Sequence, residues 1–266
     1  MRRRSGSFKT RIIIGLVMAA VAYFSYLGKG QDNLLTGKSQ RVAMSPQQEV
    51  AMGLQSAPQM AQEYGGLYPN EEVQTQVKTI GKKLVNALNR ELQAEGVQNP
   101  YRFGFHVLRD NEIVNAFALP GGQIFITVAL FGKLKSEDQL AGILGHEIGH
   151  VIHRHLSQQM ATTELYQGLA GAATAVSGNM GGTEIANYVA QVKLMKFGRD
   201  DELESDEFGV KYMINSGYNP YALIEVMEIL AQASGGGMTR DEFMSTHPSP
   251  ANRIAKIKAH ITEYGG

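Results

Sequence analysis

The sequence predicts an α+β fold that is mainly helical, with a small antiparallel sheet and one helix that carries a candidate metal site. Apolar residues recur every three or four positions over most of the chain, as in helices that pack on a core. One region, residues 101–127, instead contains strand signals, with alternating apolar and polar side chains at 103–107 and two further short segments separated by turn residues. A third segment, residues 145–155, contains four of the seven histidines in a helical context.

Composition excludes several classes of function. The chain has 266 residues, of which 43% are hydrophobic, so it is long enough for one large domain. The formal net charge is zero and no basic stripe is present, which argues against a nucleic-acid partner. Cysteine is absent, which excludes disulfides, a thiol nucleophile and cysteine-ligated zinc. Any metal ion must therefore be bound by His, Asp or Glu.

The N-terminus is predicted to be a targeting segment. A basic stretch, "MRRRSGSFKTR", precedes an apolar run of 16 residues, Ile12–Leu27. As a helix this run spans about 24 Å, slightly less than a hydrocarbon core of about 30 Å. It is either a signal peptide cleaved after Ala22 or a retained membrane anchor, and both export the rest of the chain. We therefore expect a signal peptide or anchor at 1–30, a linker at 31–44 and a folded domain at 45–266.

Helix starts are marked by capping residues that precede apolar periodicity. They are predicted at Ser45, Asn70, Ser136, Asn219 and Ser249. The helix after Ser136 contains the histidine cluster. Ser45 and Ser136 are each followed three residues later by Gln, the spacing of a capping box.

Three segments are predicted to form the small antiparallel sheet. Residues 103–107 alternate in polarity, while "EIVNAFAL" and "QIFITV" are expected to form a hairpin through residues 119–122. The strand at 122–127 has two interpretations. It is either an exposed edge that pairs with an extended peptide or an interior strand of the hairpin.

The histidine cluster contains a zinc-binding pattern. His146, Glu147 and His150 fit H-E-x-x-H, in which two imidazoles on one helix face bind one zinc ion. Glu147 lies about 100° round the helix, where it reaches a water at the metal rather than the metal itself. His153 lies too far along the helix axis, by about 10.5 Å, to share an ion with His146. His155 is on the opposite face of a straight helix and is interpreted as a second-shell or structural group.

The third ligand must come from elsewhere in the chain. The acidic run "RDDELESDEFG" contains Glu202, which can complete a His-His-Glu site, and Asp206 one turn later. Asp206 can accept the free N–H of a ligating histidine. Alone, such a run is more often a solvated helix face. Its combination with an upstream H-E-x-x-H favours the metal-binding interpretation.

Together these residues resemble the M48 family of zinc metallopeptidases, which includes the CAAX prenyl endopeptidases, the HtpX proteases and the BepA-type proteases. The matching segments are Asn115–Gly122, His146–His155, Glu202–Asp206 and Ser245–Ile254, within a resemblance that extends roughly from Ser45 to Ile261. The resemblance implies a gluzincin-type domain with zinc on His146, His150 and Glu202 and with Glu147 as the base.

The resemblance also implies roles for residues outside the zinc ligands. His247 and Arg253 are candidate stabilisers of the oxyanion, although a histidine at the His247 position caps the zinc in some relatives. It favours an exposed edge strand for substrate, with the residues Gly122, Gln123, Ile124, Phe125 and Ile126. Residues 168–182, rich in Gly and Ala, are expected to form a loop or a short helix, and a gating role for them stays open.

The chain departs from family members in two ways. It lacks the several membrane spans of the prenyl endopeptidases, and it ends soon after the last predicted helix. We therefore expect a single-domain exported endopeptidase, periplasmic or anchored in the inner membrane, that acts on unfolded or misfolded envelope proteins. The alternative is a zinc-binding chaperone or assembly factor without hydrolytic activity.

Overall fold

The computed structural model describes residues 8–177, 197–234, 240–247 and 252–265. These residues divide into two compact units. The N-terminal unit contains residues 8–33, 37–43 and 157–177. The other unit contains the remaining described residues, and we call it the catalytic unit because it contains the predicted zinc ligands. Residues 157–177, which the sequence assigned to the 45–266 domain, thus cluster with the N-terminal segment.

The described elements are mainly helical, as the sequence predicted. The helices are α1 Phe8–Leu27, α2 Pro46–Glu63, α3 Glu71–Ala94, α4 Val128–Phe131, α5 Glu137–Ile152, α6 His155–Ser177, α7 Arg199–Asn215, α8 Ala222–Ser234, α9 Phe243–Thr246 and α10 Arg253–Gly265. The strands are β1 Gly30–Asp32, β2 Ser39–Arg41, β3 Gly104–Leu108, β4 Ile113–Val114, β5 Ala116–Leu119, β6 Gln123–Thr127 and β7 Arg240–Asp241.

Helix α1 is long and apolar enough to cross a membrane, on the basis of its length and composition. Only 6% of its most apolar window is buried, so most of its side chains are exposed. A signal sequence has the same properties, and both interpretations of residues 1–30 therefore stay open.

The N-terminal unit is built by close contact between α1 and α6. A Cβ atom at Gly15 would lie 3.0 Å from the carbonyl oxygen of Ala172, and Lys29 forms an ion pair with Glu164. Strands β1 and β2 form an antiparallel hairpin, and all of their residues except Gly30 lie in the segment 31–44 predicted to be a linker. The described part of residues 168–182 is helical and belongs to α6, whereas residues 178–182 lie outside the described residues.

The predicted helix starts hold where the structure describes them. Ser45 and Gln48 form a complete capping box, and Asn70 and Ser136 accept backbone N–H groups at the starts of α3 and α5. These bonds satisfy donors that the first turn of a helix leaves unpaired. The start predicted at Ser249 lies outside the described residues, and α10 begins at Arg253.

The sheet of the catalytic unit is mixed rather than antiparallel, which corrects one prediction. Strands β5 and β6 form the predicted antiparallel hairpin, but β3 pairs with β6 in parallel, giving the order β3-β6-β5. Strand β6 lies between β3 and β5 and runs antiparallel to β5, and it runs in the same direction as β3. In the turn that follows β3, the side chain of Asp110 accepts the N–H groups of Glu112 and Ile113.

The predicted edge strand is wrong for the same reason. Strand β6 lies between β3 and β5, and all five of its residues are buried. Its backbone groups pair on both sides, so residues 122–126 cannot take up an added peptide strand. Among the described residues, no strand pairs with the outer side of β5.

Helix α5 is the central element of the catalytic unit. It packs against α3, α7, α8 and β5, and every residue from Gln139 to Ile152 is buried. The core around it contains Leu140, Leu144 and Ile148. A helix buried on all sides positions its polar side chains rigidly, because those side chains have no solvent to turn towards.

The partly buried His106 on β3 makes the stability of the fold depend on pH. Its Nε2 lies 3.0 Å from Gln123 Oε1, and burial lowers its pKa below the ordinary value of 6.5. The unfolded chain therefore takes up this proton first as the pH falls. The contribution of His106 to the free energy of unfolding is therefore lost as the pH falls below 6.5.

We therefore expect His106→Gln, which keeps a donor for Gln123, to flatten the loss of stability between about pH 7.5 and pH 5.5. One proton limits the difference to about 1.4 kcal/mol per pH unit. Urea unfolding of the full chain and the variant at both pH values measures it. Parallel stability curves would contradict the assignment to His106.

Candidate metal centre

Four buried side chains from three parts of the catalytic unit converge at one point. His146 and His150 come from α5, Glu202 from α7 and His247 from the residue after α9. His146 Nε2 lies 3.0 Å from His150 Nε2 and 3.3 Å from His247 Nδ1. Glu202 Oε1 lies 3.4 Å from His150 Nε2 and 3.0 Å from His247 Nδ1. We call these four residues the ligand quartet.

The quartet fits zinc. With bonds of about 2.1 Å, the ligand atoms of a tetrahedral zinc ion lie about 3.4 Å apart. The four atom pairs given above are 3.0–3.4 Å apart, close to this value. Three imidazole nitrogens and a carboxylate oxygen cannot all satisfy one another by hydrogen bonds in a buried site, because most of them are acceptors. A cation at their centre resolves this conflict.

The electrostatics of the site also favour a cation. Burial alone would lower the pKa of His146, but the carboxylates of Glu202 and Asp206 raise it to about 9. Burial alone would raise the pKa of Glu202, but His247 and His146 hold it well below its ordinary value. The pocket thus stabilises negative charge on Glu202 and positive charge beside it.

Glycines allow α5 and α7 to approach closely enough to form the quartet. A Cβ atom at Gly149 would lie 2.9 Å from Ser205 Cα, and one at Gly145 would lie 3.1 Å from Gly209 Cα. Such distances leave no space for a side chain between the helices. The carboxylate of Glu202 reaches the two histidines because backbone packs directly against backbone here.

Behind the quartet, Asp206 and Arg253 fix the ligands in place. Asp206 Oδ1 lies 2.9 Å from His146 Nδ1, the contact that the sequence predicted for it. Arg253, fully buried, donates to both oxygens of Asp206 and forms an ion pair of 2.8 Å with Glu202 Oε2. Arg253 therefore contacts two carboxylates, and its Nη2 also lies 3.4 Å from His146 Nε2. The oxyanion role that the resemblance implied for Arg253 stays a prediction.

The chain turns sharply after α5, which changes the position of His155. Arg154 has a left-handed backbone with φ 60° and ends the helix, and its guanidinium donates to the buried carboxylate of Glu49. His155 then begins α6 with its Nδ1 2.9 Å from Nδ1 of His150. Its contact with His150 is compatible with the supporting role predicted from the sequence, but the prediction assumed a straight helix, and the turn at Arg154 shows that this was wrong. His155 points towards the ligands, not away from them.

Glu147 stands beside the quartet without belonging to it. Its Oε1 is 3.7 Å from His247 Nε2 and, among the described residues, accepts no hydrogen bond. Burial raises the pKa of this carboxyl above its ordinary value, against the opposing effect of His247 and His146. A buried carboxylate with a free oxygen beside a metal site can receive a proton.

Sequence reasoning missed three residues that contact the site. The ring centroids of Phe197 and His150 are 4.0 Å apart, and the ring of Phe243 stacks on that of His247 with centroids 4.3 Å apart. Glu204 Oε2 lies 3.2 Å from His155 Nε2. Glu204 lies within the acidic run that drew attention to Glu202, but the two phenylalanines carry no signal that separates them from core residues.

Comparison with known proteins agrees with this geometry. Residues 71–261 match the sequence model of peptidase family M48. The chain is 31% identical over 232 residues to the beta-barrel assembly-enhancing protease of Yersinia pestis, covering 84% of this chain and 46% of that protein. It is 32% identical over 180 residues to the mitochondrial metalloendopeptidase OMA1 of Schizosaccharomyces pombe, covering 66% of this chain and 51% of that protein. The chain thus spans about half the length of these relatives.

We expect the contact between α5 and α7 to control metal affinity. In Gly149→Ala the added Cβ would meet the backbone of Ser205, so α7 must shift and carry Glu202 with it. Zinc affinity should fall by about tenfold or more, the range seen when groups that orient a ligand are disturbed.

Gly142→Ala on the same helix is the matched control. Its Cβ would lie 3.3 Å from Cδ1 of Leu223, the end of a flexible side chain on α8. Both variants gain the same helix propensity. Zinc competition with a chelator measures the affinities, and equal affinity in the two variants would contradict the prediction.

Proposed function

The chain belongs to peptidase family M48, and we propose that it is a zinc-dependent endopeptidase that hydrolyses peptide bonds of exported or misfolded envelope proteins. The observation that carries the proposal is the buried carboxylate of Glu147. It lies beside a quartet that fits zinc, and its Oε1 accepts no hydrogen bond from the described residues. A zinc site that only stabilises the fold does not need a proton acceptor beside the metal.

His146, His150 and Glu202 would hold a zinc ion, which when bound would supply a Lewis acid for the peptide carbonyl and for water. Glu147 accepts a proton from the attacking water as the new C–O bond forms. It returns this proton to the amine nitrogen as the C–N bond breaks. Asp206 keeps His146 in the tautomer that presents Nε2 to the quartet, because His146 Nδ1–H donates to its carboxylate.

His247 has a separate role in this proposal. Four protein ligands complete a tetrahedral zinc site, an arrangement typical of structural zinc, whereas catalytic zinc keeps one position open. His247 follows α9, while the other three ligands are on the helices α5 and α7. We assign to His247 the closure of the fourth position, so a substrate gains access when His247 withdraws. The same four-ligand set is what favours the alternative, a zinc-binding chaperone without hydrolytic activity.

The substrate is proposed to bind along the outer side of β5. This strand packs against α5, and its outer side is free of strand pairing within the described residues. An extended peptide added there would be recognised mainly through its backbone. Such recognition suits unfolded or misfolded polypeptides of varied sequence, and the Yersinia pestis relative is named a beta-barrel assembly-enhancing protease.

The N-terminal segment supports a proposal for the location of the enzyme. A basic stretch precedes α1, and basic residues stay on the cytoplasmic side of a membrane. We propose that the catalytic unit is exported, either free in the periplasm or anchored to the inner membrane by α1. N-terminal sequencing of the mature protein distinguishes the two, since only the anchored form retains residues before Tyr23.

The role of Glu147 gives the primary test of the function. We expect Glu147→Gln to bind zinc like the parent chain and to lose hydrolysis by at least about a hundredfold, because the amide cannot accept a proton. Cleavage of unfolded casein and zinc content are measured on the same preparations. Full activity in this variant would contradict the mechanism, and a parent chain that binds zinc but cleaves nothing would favour the chaperone.

The role of His247 gives a second prediction. We expect His247→Ala to retain zinc on three ligands and to hydrolyse peptides faster. If His247 is withdrawn in only a fraction of the parent molecules, the hydrolysis rate of the variant should exceed that of the parent chain by about the inverse of this fraction. A casein assay measures the two rates. The inactive variant Glu147→Gln, His247→Ala is the control, and its rate is subtracted from both. Slower hydrolysis with zinc retained would instead make His247 a participant in the reaction.

A further inference from the structure

We propose a second zinc site in the catalytic unit, formed by His153, His155 and Glu204 with Asp201 as a fourth ligand. His153 Nδ1 lies 3.0 Å and His155 Nε2 lies 3.2 Å from Glu204 Oε2. Asp201 Oδ1 lies 3.8 Å from His155 Nε2. These distances fall on both sides of the roughly 3.4 Å that separates the ligands of tetrahedral zinc. Imidazole and carboxylate are ligands that zinc accepts.

The turn after α5 brings these ligands together. Arg154, held by Glu49, reverses the chain between the two histidines, and their rings stack with centroids 5.4 Å apart. Asp201 and Glu204 are three residues apart on α7, so they lie on one face of that helix. Glu202 and Asp206 point from another face of the same helix to the quartet. One helix thus serves two clusters.

Exposure and charge suit an ion that enters from solvent. The side chain of His155 is fully buried, whereas those of Glu204 and Asp201 are 29% and 30% exposed. The cluster is therefore closed on the side of the quartet and open on the other. Two neutral imidazoles and two carboxylates carry a charge of −2, which one divalent cation neutralises.

The second site is linked to the quartet through one hydrogen bond. When His150 directs Nε2 to the quartet, its Nδ1–H donates to Nδ1 of His155 across 2.9 Å. His155 then carries its hydrogen on Nε2, which donates to Glu204. Zinc on Nε2 of His155 would move that hydrogen to Nδ1, where it would face the N–H of His150. Zinc in the second site therefore removes the hydrogen bond that orients His150, and His150 binds the first ion less tightly.

Zinc titration of the full chain tests the proposal. The chain carries Glu147→Gln to prevent self-cleavage, and we expect it to bind two zinc ions, one tightly and one weakly. The added pair His153→Ala, Asp201→Asn should abolish only the weak ion. His260→Ala, which removes a histidine 3.4 Å from Glu263 on α10, is the matched control and should leave both. Urea unfolding without metal verifies that each variant folds.

Release of the tight ion to a chelator tests the link between the sites. In the chain with His153 and Asp201 intact, saturating the weak site should accelerate this release about tenfold, the effect of losing one hydrogen bond. In the chain that also carries His153→Ala and Asp201→Asn, here called the double variant, added zinc should not change the release rate. A single bound ion, or a weak ion that persists in the double variant, would overturn the second site. Unchanged release in the presence of two bound ions would overturn the link. None of these readouts depends on proteolytic activity.

Discussion

The close contact between α5 and α7 is the constraint on which the rest of the catalytic unit depends. Gly145 and Gly149 on one helix and Gly209 on the other leave no side chain between the two backbones. At this separation the short side chain of Glu202 reaches two histidines that are fixed on the opposite helix. A methyl group at any of these glycines would lie 2.9–3.2 Å from backbone atoms of the facing helix, so the two helices would have to move apart. Metal geometry is therefore set by backbone packing.

The same contact buries charges that must compensate one another. Glu202, Asp206 and Arg253 are fully buried, and removal of any one would leave another charge without its partner in a medium that solvates it poorly. Asp206 serves two purposes, because it orients His146 and neutralises Arg253. The ligands are thus held by a network that also maintains the charge balance of the core.

The turn at Arg154 gives the histidine helix its division of roles. Before the turn, His146 and His150 share one face of α5, and after it His155 returns to contact His150 from α6. Helix geometry excludes His153 from the first ion, and the turn places it beside Glu204 instead. Four histidines within eleven residues therefore belong to two clusters, which share the pair His150–His155 as their point of contact.

The sequence by itself determined the features that depend on local spacing. Capping at Ser45 and the shared face of the two histidines of α5 follow from helical periodicity, which repeats every few residues. Asp206 was predicted as a partner of a ligating histidine from the acidic run that contains Glu202, but its contact with His146 joins two different helices. Only the tertiary structure decided the order of the strands, the burial of β6 and the position of His247. These features depend on which distant segments pack together. The residues next to them in the sequence do not indicate the outcome. An edge strand and an interior strand can have the same local sequence, and so can a loop histidine that lies near the metal or far from it.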